Sequence, residues 1–287
     1  MEQQNTIQWF PGHMAKARRL VQENLKLVDV VIELLDARIP VSSRNPMIDS
    51  IVGEKPRLVV FNKADLADPE VTKQWEKRLQ SDNISTVAVD SVKGKGISEI
   101  PKAAKDVVAE KMAKIAATGR RARPVRCMVL GIPNVGKSSF INRLSRRKST
   151  KTGDTPGVTK GKQMIKINKD LELLDTPGIL WPKFEDPEVG FKLATTGAIK
   201  EQVINVEEVA IFLLNLLVEI VPDGLATRYK LDQLQQDKFE LLQQIGAKRG
   251  MLQSGGVVDT QKASVLLLKE FREGKLGRIT LEGPREI

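Results

Sequence analysis

The residues able to do chemistry lie in a few short segments. GIPNVGKS, residues 131–138, fits the pattern GxxxxGK[ST]. Glycines at 131 and 136 let a loop fold back until its N–H groups converge, which makes a cradle for phosphate. Lys137 would then reach the β- and γ-phosphates of a nucleoside triphosphate, and Ser138 would hold Mg2+. Asn134, Val135, Gly136 and Ser139 complete the cradle. NKAD, residues 62–65, addresses the base. The Asp65 carboxylate can accept hydrogen bonds from N1–H and N2–H2 of guanine. Adenine has no such donor pair, so a buried Asp65 left unpaired would reject it. Asn62 would tie this loop, with Lys63, to the phosphate loop. Ser91, with Val92 and Lys93 beside it, fits a loop offering backbone N–H groups to guanine O6. DTPG, residues 175–178, lies 38 positions after Lys137. It would place Asp175 near Mg2+ and the Gly178 N–H at the γ-phosphate. In the loop between, Thr159 is the threonine expected to close over the γ-phosphate and Mg2+, with Thr155 as the alternative. The combined expectation is GTP and GDP binding, with Mg2+, and hydrolysis of GTP.

These segments need strands to carry them. Apolar runs precede each one: DVVIELL before Asp36, RLVVF before Asn62, STVAV before Asp90, VRCMVL before Gly131 and LELL before Asp175, with QMIKI at 163–167 as a further run. Helical stretches alternate with them, which predicts an α/β fold with a mostly parallel sheet and helices on both faces. Open sheets of this kind bind ligands beyond the carboxyl ends of their strands. Base-recognition elements come first in the chain and phosphate elements second, the reverse of a Ras-like GTPase. A circular permutation accounts for this without moving the site, with residues 116–124 as the linker joining the two halves. After residue 199 only helical periodicity remains. The expected division is a permuted P-loop GTPase domain at 1–198 and a smaller all-helical domain at 199–287.

The chain has 287 residues, a net charge of +10 and 41% hydrophobic residues. The surplus is local: residues 102–170 carry 18 basic and 4 acidic residues. Such a block attracts polyanions, and nucleic-acid contact is expected of it. The single cysteine, Cys127, excludes an internal disulfide framework and reads as a core strand position. No secretory signal is legible and no apolar run approaches the ~20 residues of a membrane span, so no membrane role and a cytoplasmic location are expected. No heptad seam argues for assembly, so a monomer is expected.

The permuted order, together with WFPGHMAKA (9–17), DARIPVSSRNP (36–46), NKAD, GIPNVGKSS, DTPGVTKG and DTPGIL, resembles the circularly permuted bacterial GTPases over nearly the whole chain. The resemblance implies a cytoplasmic factor for a late step of large (50S) ribosomal subunit assembly. It would bind the particle through ribosomal RNA in the GTP state and be released on hydrolysis; DNA is not an expected partner. Where Ras-like enzymes place a water-orienting glutamine, this chain has Ile179. The resemblance suggests two substitutes. His13, the chain's one histidine, would orient the water once the ribosome is bound. Asn134 would help hold K+ against the phosphates, offsetting developing charge. The 36–40 segment reads either as a loop stabilised by an Asp–Arg contact or as ribosome-facing surface. Lys262, Lys269, Arg272, Lys275 and Arg278 are plausible RNA contacts of the helical tail. Rival readings are an RNA-binding protein that uses GTP mainly as a structural ligand, and a GTPase acting on a different RNA.

Overall fold

The computed structural model describes residue 19 and residues 21–118, 123–145, 164–174, 186–199 and 205–284. His13, Thr159, Asp175 and Gly178 lie outside the described residues, as do Thr155 and Ile179. Six strands form one sheet: β1 (Val30–Asp36), β2 (Arg57–Asn62), β3 (Ile84–Ala88), β4 (Val125–Gly131), β5 (Met164–Lys166) and β6 (Leu171–Leu174). These are the six apolar runs read from the sequence. Their spatial order is β3-β2-β1-β4-β6-β5. Every pairing is parallel except β5 with β6. The phosphate strand β4, fourth in the chain, sits centrally beside the first strand. The guanine half lies on one side of it and the half leading to DTPG on the other, which is the predicted permutation.

Side chains alternate across β1 because successive residues of a strand face opposite ways. Val30, Ile32 and Leu34 face one core with Val60, Val129 and Leu173. Helices α3 (Ile100–Asp106) and α5 (Lys137–Ser145) close that side through Ala104 and Phe140. Val31 faces the opposite side with Met128 and Ile48 of α1 (Pro46–Val52). Leu35 and Phe61 pack there on Trp75 of α2 (Pro69–Leu79). Helices on both faces follow from strands that are apolar on both. Cys127 is buried in the core, and burial raises its thiol pKa well above the ordinary range. It has no thiolate to offer chemistry.

Helix α4 (Ala109–Ala117) precedes the linker to β4, and α6 (Pro187–Thr195) follows the DTPG segment in the chain. The described elements after residue 205 are all helical: α7 (Val206–Ile220), α8 (Pro222–Tyr229), α9 (Lys238–Lys248) and α10 (Thr260–Arg272). Asn205, Asp237 and Asp259 cap three of them, each accepting from backbone N–H groups of the first turn. Buried Leu213, Leu217, Leu241, Leu267 and Leu268 join them to one another and to the sheet in one continuous core. Among the described residues no single helix is long and apolar enough to cross a membrane.

Candidate functional site

The phosphate loop leaves β4 at Gly131 and closes into α5 at Lys137. Its backbone is dictated by close approaches. A Cβ on Gly136 would sit 2.3 Å from the Asn62 amide nitrogen, and the residue's φ of 98° is left-handed. A Cβ on Gly131 would meet the Leu34 carbonyl at 2.9 Å. Only glycine tolerates both demands at 136. The Phe140 N–H bonds to the Gly136 carbonyl at 2.9 Å, so the helix opens directly behind the loop. Lys137, Ser138 and Ser139 therefore occupy the first turn of α5, where N–H groups lack intrahelical partners and the helix dipole favours an anion. A side chain at 136 would collide with the Asn62 amide that joins this loop to the end of β2.

The guanine loop is fastened to the phosphate loop by buried hydrogen bonds. Asn62, at the end of β2, donates to the Val135 carbonyl at 2.7 Å. Its side-chain oxygen accepts from the Ser91 hydroxyl at 2.7 Å and the Ser91 N–H at 3.2 Å. Asp90 Oδ1 takes the N–H groups of Val92 and Lys93 at 2.8 and 2.9 Å. The backbone donors read from the sequence as aimed at the base are thus engaged within the protein here, and they brace the loop. Lys63 and Asn134 both adopt left-handed conformations, φ 59° and 58°. Lys63 Nζ spans the gap between their loops, donating to the Asn134 carbonyl at 3.0 Å. Asn62, Lys63, Asp65, Ser91, Asn134, Gly136 and Ser139 all line one cavity of about 360 Å³. Asp65 lies at its wall, and among the described residues no hydrogen bond or ion pair engages its carboxylate.

Further residues meet at this site, among them two from the 36–40 segment and one from the helical tail. Asp36 is 2% exposed and accepts from Arg38 three times, from its N–H at 3.1 Å and its guanidinium at 2.9 and 2.7 Å, and from Lys63 at 2.9 Å. Burial alone would raise its pKa, but Arg38 and Lys63 outweigh burial and hold the carboxyl well below the usual range. The open question about the 36–40 segment is settled: Asp36 and Arg38 form a buried ion pair facing the site. Arg38 lines the cavity, lies over the Phe271 ring at 5.5 Å and keeps its Nη1 buried without a partner. Thr196 and Arg272 line the same cavity. Arg272 donates to the carbonyls of Thr195 and Ala194 at 2.9 and 2.8 Å. Asn134 Nδ2 donates to the Gly197 carbonyl at 2.9 Å. The helical region thereby forms part of the nucleotide pocket's wall, a contact that no local pattern encodes.

Surface charge is unevenly spent. In the basic block, Lys105 pairs with Asp170, Arg126 with Glu172, and both Lys111 and Arg123 with Asp29. Lys102, Lys114, Lys166 and Lys169 are exposed. In the tail, Lys262 pairs with Asp259 and Lys275 with Glu273. Arg272, part-buried, and Arg278, exposed, each donate to backbone carbonyls.

Residues 126–251 match a family described as 50S ribosome-binding GTPase. The chain is 54% identical over 281 residues to ribosome biogenesis GTPase A of Bacillus cereus, covering 98% of this chain and 95% of the relative. It is 34% identical to mitochondrial ribosome-associated GTPase 1 of Bos taurus, over 98% and 90% of the two chains. Among solved structures it resembles GNP-bound YlqF from T. maritima, with TM-score 0.69 and 26% identity over 95% of this chain and all of that one.

Proposed function

The chain belongs to the ribosome biogenesis GTPase A family, GTP-hydrolysing factors of ribosome assembly, and from that premise we propose how it uses its site. It acts on the large subunit: in the GTP state it holds a late pre-ribosomal particle, and hydrolysis releases it. The description of the matching family supports the choice of subunit. Exposed Lys102, Lys114, Lys166 and Lys169 in the basic block support contact with ribosomal RNA. Such a factor works as a monomer in the cytoplasm, where the particles are.

The observation that carries the nucleotide reading is Asn62, whose one amide joins the guanine loop to the phosphate loop. Asp65 accepts from the guanine edge. Val135, Gly136 and Ser139 frame the phosphates. Lys137 stabilises negative charge on the β- and γ-phosphates as it develops. Ser138, with Thr159 and Asp175, would hold Mg2+, which neutralises phosphate charge. The Gly178 N–H reads the γ-phosphate. With Asn134 Nδ2 engaged by Gly197, the amide oxygen is the end that K+ would take. Ile179 cannot orient water, so intrinsic turnover is slow and His13 supplies that role on the ribosome.

The test is GTP turnover in K+ buffer with large subunits, with small subunits and alone. Stimulation by the large subunit only, lost in His13→Ala with GTP binding intact, is expected. Intact binding without stimulation by mature or immature large subunits would favour the rival in which GTP is a structural ligand.

A further inference from the structure

Beyond the last helix the chain runs back across the guanine loop. Arg278 donates through Nη2 to the Ala64 carbonyl at 2.8 Å and through Nε to the Ala67 carbonyl at 3.0 Å. The Ile279 N–H donates to the Leu66 carbonyl at 2.9 Å. Thr280 Oγ1 accepts from the Asp68 N–H at 3.0 Å. These bonds fall on both sides of Asp65. The strap is itself anchored from behind. The Leu281 N–H donates to the Arg38 carbonyl at 2.7 Å, and Trp75 Nε1 donates to the Glu282 carbonyl at 2.9 Å.

We propose that Arg278 is a positioning residue for guanine recognition: the 278–282 strap holds the 64–68 loop so that Asp65 faces the base. The inference rests on Asp65 being the base acceptor. A loop that turns through left-handed Lys63 and precedes α2 has no ladder of its own to satisfy the carbonyls of Ala64, Leu66 and Ala67. The strap satisfies all three, so the loop meets nucleotide already ordered and binding is spared that ordering entropy. Arg278 itself is exposed, while Ile279 and Leu281 are 1% and 4% exposed and carry the strap's packing. Removing the guanidinium therefore loosens the loop without emptying the core.

The experiment compares affinities of the full-length chain for GDP and IDP by calorimetry. Inosine lacks the N2 amine, so the IDP-to-GDP ratio of dissociation constants reads the second hydrogen bond of Asp65. Arg278→Ala is expected to lower that ratio about fivefold, the worth of roughly one hydrogen bond. A general loss of stability would weaken both nucleotides together and leave the ratio alone. Thr280→Val, which removes the bond to Asp68, should move the ratio the same way and serves if Arg278→Ala does not fold. Asp65→Asn should lose GDP and gain XDP, because an amide can donate to the xanthine 2-oxo group. If Asp65→Asn gains no XDP, the reading of Asp65 fails. If it gains XDP while both strap variants keep the parent ratio, the strap proposal alone is overturned.

Discussion

Replacing Asp36 by asparagine keeps the shape of the site and removes one charge from its centre. In the parent, one carboxylate is shared by Arg38, 2% exposed, and Lys63, 23% exposed. The asparagine leaves the guanidinium buried without a counter-charge. Breaking a buried pair in this way costs roughly 3–5 kcal/mol. Most of it comes from Arg38, the more deeply buried of the two cations. The pH dependence has a definite sign. The folded pKa of Asp36 lies below the ordinary value of about 3.9. Its contribution is therefore complete above that value and is lost as pH falls toward the folded one. Asp36→Asn should lose stability at pH 7 and show a flatter acid limb between about pH 4 and 2. Lys63, freed from its anchor, should also hold the Asn134 carbonyl less well, raising the dissociation constant for GDP about tenfold, near the worth of one charge-assisted bond. Urea unfolding at pH 7, at about pH 4 and at about pH 2, with titration of labelled GDP, measures both. Asp49→Asn is the comparator, since it removes the same charge from a carboxylate half open to water, for under about 1 kcal/mol. If Asp36→Asn cost no more than Asp49→Asn, the buried pair would not be what organises the base loop.

Asn62→Ala strips partners from Val135 O, Ser91 N and Ser91 Oγ, and should cost about 2–4 kcal/mol in urea unfolding while weakening GDP and GTP alike. Burial raises the pKa of Glu33, which lies between Arg44 and Arg57 without a hydrogen-bonded oxygen. A folded pKa above the unfolded one means stability falls as pH rises between the two. Glu33→Gln should therefore gain on the parent on going from pH 4 to pH 8 in the same assay. GTP turnover should be faster in K+ than in Na+, and Asn134→Ala should abolish the difference; equal rates in the parent would remove Asn134 from cation binding.

The sheet was legible because each strand is an apolar run ending in a turn of distinctive chemistry, so that NKAD and GIPNVGKS announced both the strand before them and their own role. The permutation was legible for the same reason: motif order is a property of the sequence. The Asp36–Arg38 pair was half legible, since two opposite charges at i and i+2 fit a surface loop as well as a buried clamp, and only packing against Phe271 decides between them. The helical tail was the least legible part. Beside the expectation of RNA contact, the bonds that Arg272 and Arg278 donate could not be read, because a side chain's partner cannot be inferred when that partner is a backbone carbonyl. Ala64, Ala67, Ala194 and Thr195 accept these guanidinium groups through their main chain, and a carbonyl belongs to every residue, so it leaves no mark in the sequence. Two of these four carbonyls lie at the C-terminal end of α6, where a helix runs out of intrahelical donors, and two lie in the guanine loop. Two elements far apart in the chain meet at one cavity because the helical region returns to the sheet at those two places, so the guanine pocket is a product of tertiary packing even though its motifs are local.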